Sequence, residues 1–161
     1  MSLVSAYFGR NYIREVSYEE IMENLDKLRE LCGDRAVLRA IHVIEENERV
    51  VREAEALKNG DFAAFLKEVQ ASGNSSYKYL QNVYSGTRVN SQSLSIGLAL
   101  ADLYLKTEGA YRVHGGGFEG TIQLLVPQEK SEGMEKLMTS VFGQDCLLKV
   151  KVRPFGTITV I

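Results

Sequence analysis

The hexapeptide GGGFEG at positions 115–120 holds Gly115, Gly116, Gly117 and Gly120, four of the chain's 14 glycines. Consecutive glycines carry a large backbone-entropy cost. It is tolerated where the chain must take a positive φ or let another group approach with no Cβ in the way. Backbone amides laid open in this manner suit a phosphate or a polar substrate. The run also satisfies G-x-G-x-x-G, but the dinucleotide fingerprint requires a helix directly after it. Here the β-prone Thr121, Ile122, Leu124, Leu125 and Val126 follow, so that reading is rejected. A backbone cradle is expected, with a wide hairpin turn as the alternative.

Other reactive residue types are sparse. His114 precedes the glycines and can donate a hydrogen bond to a phosphate or act as a base, but no carboxylate or nucleophile stands at a partner spacing, so a structural role is expected. His42 falls among Ile41, Val43 and Ile44 on a helical pattern and reads as a buried histidine bonded to a carbonyl. With only two histidines and no H-E-x-x-H helix, zinc hydrolase chemistry is excluded and no metal site is expected. Cys32 and Cys146 are isolated from each other, which gives no disulfide framework and fits a reducing, cytoplasmic setting. No residue qualifies as a catalytic acid, base or nucleophile.

These residues need elements to hold them. Ser17 and Glu20 form a capping-box pair at the start of a helix with Ile21, Leu25, Leu28 and Leu31 on one stripe and Gly33 as its stop. A long second helix runs from Asp34 to Gly60, and Asp61 caps a third bearing Phe62, Phe65, Leu66 and Val69. That pattern breaks down over 72–76, and Tyr77, Tyr79 and Leu80 mark its resumption. After a polar loop at 85–92, Ser93 caps a helix with Leu94, Leu98, Ala101 and Leu105, stopped by Gly109. The period then changes: strands are expected at 110–114, 121–126 and 147–153, a helix at 129–142 and an extended piece at 157–161. A further strand is read at 12–16. In the 147–153 strand, Lys149, Lys151 and Arg153 alternate with Leu148, Val150 and Val152, which puts three apolar side chains on one face and three cations on the other, a solvated face with docking against an acidic partner surface as the alternative. The order predicts an α+β fold, helices covering a mainly antiparallel sheet.

At 161 residues, 45% hydrophobic and 25% charged, the chain is long enough for one globular domain, 1–161, and its composition argues against disorder, collagen and coiled coil. A net charge of -2 supplies no electrostatic footprint for nucleic acid. The longest apolar stretch, 94–105, is too short to span a bilayer and contains Asp102, so no membrane partner is expected.

Two segments together resemble a known family. RAVLRAIHVIEENERVVREAEALKNGDFAAF at 35–65, followed by AYRVHGGGFEGTIQLLVP at 110–127, resembles the C-terminal domain of galactokinases in the GHMP kinase superfamily. The family pattern is a basic residue, His, Glu-Asn, Arg-Val, then Ala-Leu, Gly-Asp and Phe, with a later Gly-Gly-Gly-Phe-Gly-Gly loop, its third motif. The likeness departs at SQSLS, 91–95, where the family has Cys-Pro-Glu-Leu-Asp, at Glu119 in place of Gly, and at His114 in place of Thr or Ser.

The resemblance implies a ferredoxin-like half of a two-domain sugar kinase. Its substrate loop would be Gly115, Gly116, Gly117, Phe118, Glu119 and Gly120, facing a cleft shared with an N-terminal domain that is missing here. The activity implied is ATP-dependent phosphorylation of galactose or a related sugar to the 1-phosphate. ATP and Mg²⁺ are cofactors of the longer parent, and none is expected tightly bound to this chain. The opening MSLVSAYFGRNY looks like a leader fused within a family region, which makes the chain a truncated and inactive piece. The resemblance also accommodates a catalytically silent sugar-sensing relative or a freestanding ferredoxin-like ligand-binding domain. Glu119 is expected to point away from the phosphates, the alternative being that it helps hold Mg²⁺.

Overall fold

The computed structural model describes residues 1–118 and 120–151. The elements run α1 (Ser2–Tyr7), α2 (Tyr18–Glu23), α3 (Leu25–Cys32), α4 (Asp34–Lys58), α5 (Phe62–Ser75), α6 (Ser93–Leu105), β1 (Ala110–His114), β2 (Thr121–Leu125) and α7 (Ser131–Phe142). The fold is α+β, and β1 and β2 form an antiparallel hairpin in which Ala110 faces Leu125 and His114 faces Thr121.

The helix signals act as expected at several ends. The Ser17 amide donates to Glu20 Oε2 at 2.8 Å, and Ser17 Oγ accepts the Glu20 amide at 3.1 Å, a complete capping box. Asp61 accepts the Ala64 amide at 2.9 Å to start α5. The helix expected across 17–33 is broken at Asn24, whose Nδ2 donates to the Glu20 carbonyl at 2.9 Å while its Oδ1 accepts the Tyr7 hydroxyl at 3.1 Å. A side chain that competes for backbone partners ends the helix locally. Ser93 does not cap α6: the N-cap is Gln92, with no side-chain bond.

Two strand expectations fail. Residues 12–16 contain a 3₁₀ turn, Ile13–Glu15, because the Glu15 carboxylate collects the amides of Asn11 and Tyr12 at 3.1 and 3.2 Å and so competes with pairing in a ladder. In the expected strand at 147–153, residues 147–151 join no sheet, and Val152 and Arg153 lie outside the described residues, as does the piece at 157–161. Leu148 and Val150 are 85% and 77% exposed, so the alternation does not bury an apolar face among the described residues. Lys149 instead pairs with Glu135 of α7 at 2.6 Å.

Buried side chains gather in three clusters. The helices α1 to α4 enclose Val4, Ile21, Leu28, Val37, Ala40 and Ile44. The opening residues therefore join the core, with Val4 fully buried. A second cluster, Val83, Leu94, Leu98 and Val113, joins α6 to β1, and a third, Ala101, Leu105, Met134 and Met138, joins α6 to α7. Helix α5 packs against α4 and against β1, linking the helical end to the hairpin. Among the described residues no helix is long and apolar enough to cross a membrane.

Candidate functional site

The glycine run is the turn between β1 and β2, and its backbone shows why glycine is needed. Gly115 and Gly117 take φ of +71° and +77°, and Phe118 takes +62°. A Cβ added to Gly115 or Gly116 would meet nothing within 4 Å. Gly117 differs: a Cβ there would run into the Asn82 backbone oxygen and lie 2.8 Å from its Nδ2. The loop thus has one side open to solvent and one pressed against Asn82. The Phe118 amide donates to the Asn82 carbonyl at 2.5 Å, Asn82 Nδ2 donates to the Gly116 carbonyl at 3.4 Å, and the Gly120 amide donates to the Gly117 carbonyl at 3.1 Å. His114, Gly115, Gly116, Phe118 and Gly120 are exposed, and Glu119 lies outside the described residues.

Asn82 had no motif to announce it. It follows a π-helical turn, Ser76–Leu80, that extends α5 and closes at Gln81 in the left-handed region, φ +55°. The signal available was the broken helical pattern from Ser72 onward, since a π turn inserts residues that shift an apolar stripe off its face. Asn82 is 4% exposed, and its Oδ1 is buried with no hydrogen-bond partner among the described residues.

Behind β1 lies a polar layer between α4 and α5. His42 Nδ1 is 2.9 Å from the Ser75 hydroxyl, so its partner is a side chain and not the expected carbonyl. Ser72 Oγ donates to Glu46 Oε2 at 2.7 Å, Arg49 pairs with Glu46, and Glu68 receives Arg49 at 3.8 Å and Arg52 at 3.1 Å. Burial pushes the His42 imidazole below its ordinary value; Glu46 opposes that shift, and Arg49 and Arg112 add to it. Burial likewise raises Glu53. The layer is a scaffold under the strand that leads into the loop. Among the described residues no group of three or more His, Cys, Asp or Glu is placed to hold a metal ion.

A cavity of about 290 Å³ is lined by Ile41, Arg49, Asn74, Ser75, Lys78 and Tyr79 among others, and another of about 400 Å³ by residues of 14–19 and 44–48. Neither includes a loop residue.

No family model matches the chain. Three curated relatives are galactokinases. That of Haemophilus influenzae is 31% identical over 143 residues, 89% of this chain and 35% of that protein. The Glaesserella parasuis enzyme is 33% identical over 82% of this chain and 32% of its own length, and the Pasteurella multocida enzyme 28% identical over 91% and 36%. The chain spans about a third of the length of these relatives. Taken with a helix-covered antiparallel hairpin whose turn is the glycine run, these matches show that the chain resembles the C-terminal portion of a galactokinase.

Proposed function

We propose that the chain is the C-terminal, ferredoxin-like domain of a sugar kinase that transfers the γ-phosphoryl group of ATP to the anomeric hydroxyl of galactose, and that it is inactive alone. The observation that carries this reading is the galactokinase likeness over 89% of the chain. The loop geometry is compatible with it. Gly115 and Gly116 leave space where a substrate or the missing N-terminal domain can approach the backbone. In this reading the loop Gly115, Gly116, Gly117, Phe118, Glu119 and Gly120 forms one wall of the cleft. It contributes positioning and backbone dipoles, and the acid-base and phosphate-holding groups come from the other domain. ATP and Mg²⁺ bind in the longer protein, where the metal spreads the charge of the transferred phosphoryl group. Cys32 and Cys146 are free thiols, in keeping with a reducing, cytoplasmic setting.

The test presents a panel of hexoses, with ATP and Mg²⁺, to the 161-residue chain and to the longer protein that carries it. Phosphorylation of galactose by the longer protein and none by the chain is expected. Turnover by the chain alone would overturn the inactive-domain reading. A longer protein that binds galactose without phosphorylating any sugar would favour a sensor.

A further inference from the structure

Glycine loops owe their reach to flexibility, yet a loop that must present its backbone to a ligand has to be held in one shape. This loop is held from outside the hairpin. Asn82, 34 residues before Gly116, meets it at consecutive positions: its side-chain Nδ2 reaches the Gly116 carbonyl, its backbone occupies the space beside Gly117, and its carbonyl takes the Phe118 amide. Asn82 is itself fixed. It is 4% exposed, and it is flanked by Gln81 at the left-handed end of the π turn and by Val83, which is 1% exposed in the cluster with Val113 of β1. Its buried Oδ1 has no partner among the described residues, a cost retained in the core for a side chain whose other end bonds the loop.

We infer that Asn82 is the positioning residue of the glycine loop, clamping Gly116 to Phe118 so that the open side at Gly115 and Gly116 keeps one shape toward the substrate. The inference deepens the kinase reading and rests on it for the identity of that substrate. The clamp does no chemistry; it acts through the loop backbone. A side chain at Gly117 would push the loop off the same anchor, so the two ends of the contact can be altered separately.

The experiment measures amide hydrogen exchange in the 161-residue chain, followed by steady-state kinetics in the longer protein. Asn82→Leu keeps nearly the same side-chain shape while removing the donor and the unpartnered acceptor, so it is the variant least prone to unfold; Asn82→Ala and Gly117→Ala accompany it. The expected result is exchange at Phe118 and Gly120 at least tenfold faster in each variant, and in Asn82→Leu with the amide of Ile44 in α4 unchanged. In the longer protein kcat is expected to fall tenfold or more at a KM for galactose within threefold of the unaltered protein. Unchanged exchange at Phe118 in Asn82→Leu overturns the inference. So does equal acceleration at Ile44, which marks a general loss of stability, and so does a loosened loop with unaltered turnover. If the unaltered longer protein phosphorylates no sugar, the kinase reading fails, and the exchange measurements alone decide whether Asn82 holds the loop.

Discussion

Gln70 offers its side-chain oxygen to the backbone amide of Tyr111 at 3.1 Å, so a helix residue satisfies the outer edge of β1 where another strand would otherwise be needed. Gly73, one turn further along α5, lies against the same residue from the other end of its peptide unit. A Cβ on Gly73 would sit 2.6 Å from the Tyr111 carbonyl oxygen and 3.1 Å from Arg112 Cβ. The Tyr111 hydroxyl, in turn, donates to Asp102 of α6 at 2.5 Å. One residue of β1 is thus held by two helices.

Gly73→Ala tests how closely α5 and β1 are fitted. Alanine would gain about 1 kcal/mol of helix propensity, but forcing a methyl group into a packed contact costs about 1–3 kcal/mol, and a backbone oxygen cannot swing aside. A net loss of stability is expected in urea unfolding. A variant as stable as the parent would show slack between the helix and the strand.

The glycines of the loop are expected to separate by function. Gly116→Ala, with open space at the Cβ position, should change stability by less than about 0.5 kcal/mol and, on the kinase reading proposed above, cut galactose phosphorylation by the longer protein at least tenfold, about 1.4 kcal/mol of barrier. Gly117→Ala meets Asn82 and a left-handed backbone, so it should lose about 2 kcal/mol or more of stability. Denaturant midpoints for both variants, set beside the kinetics, check the division.

His42 sets a pH dependence with a definite sign. Its native value lies below the ordinary 6.5, so as the pH falls the unfolded chain takes up this proton before the native chain does. Its contribution to stability is complete above about pH 6.5 and is lost as the pH drops from there through the native value. His42→Asn, which cannot titrate, should flatten the stability profile between about pH 7 and 5 relative to the parent. Glu53, raised by burial, acts in the opposite direction: its native value exceeds the unfolded one, so it favours the folded chain as the pH falls toward 4.5. Because Glu53 is present in both proteins, the difference between the two profiles isolates His42. Parallel profiles would assign the acid sensitivity elsewhere.

Val4 is fully buried among Ile21, Leu28 and Val37, so the opening helix is part of the core it touches. Val4→Ala should cost about 2 kcal/mol in urea unfolding, from lost apolar burial and the cavity left behind. A loss below about 0.5 kcal/mol would mean that α1 is dispensable for stability.

The sequence was readable where a signal is local. Ser17 with Glu20, Asp61, and the glycines at 33 and 60 mark helix ends through bonds or backbone angles formed within a few residues, whereas α6 ends at Leu105 with Lys106 at φ +54°, and Gly109 borders β1 instead. The hairpin at 110–125 was readable for the same reason, its two strands being joined directly by the glycine turn. Asn24 and Glu15 redirected the backbone through side-chain bonds that composition does not rank above periodicity, so one helix became two and one strand became a turn. The alternating 147–151 stretch carries a strand pattern, but pattern alone supplies no partner, and among the described residues Leu148 and Val150 have none. The glycine loop was found from its composition, whereas its anchor was not. Nothing about Asn82 in its own neighbourhood announces a bond to residues 34 positions later.

That separation orders the assembly of the molecule. The hairpin can close from its own turn, and α5 can form from its own cap, but the bond from Phe118 to Asn82 exists only once the end of α5 has reached the hairpin. Until the two halves meet, the glycine run is closed by the hairpin and its own Gly120–Gly117 bond but lacks the contacts to Asn82. The loop is therefore among the last places to take its final shape and among the first to lose it. A chain whose halves are correctly built but undocked would keep its helices and its hairpin and still present no organised surface to a ligand.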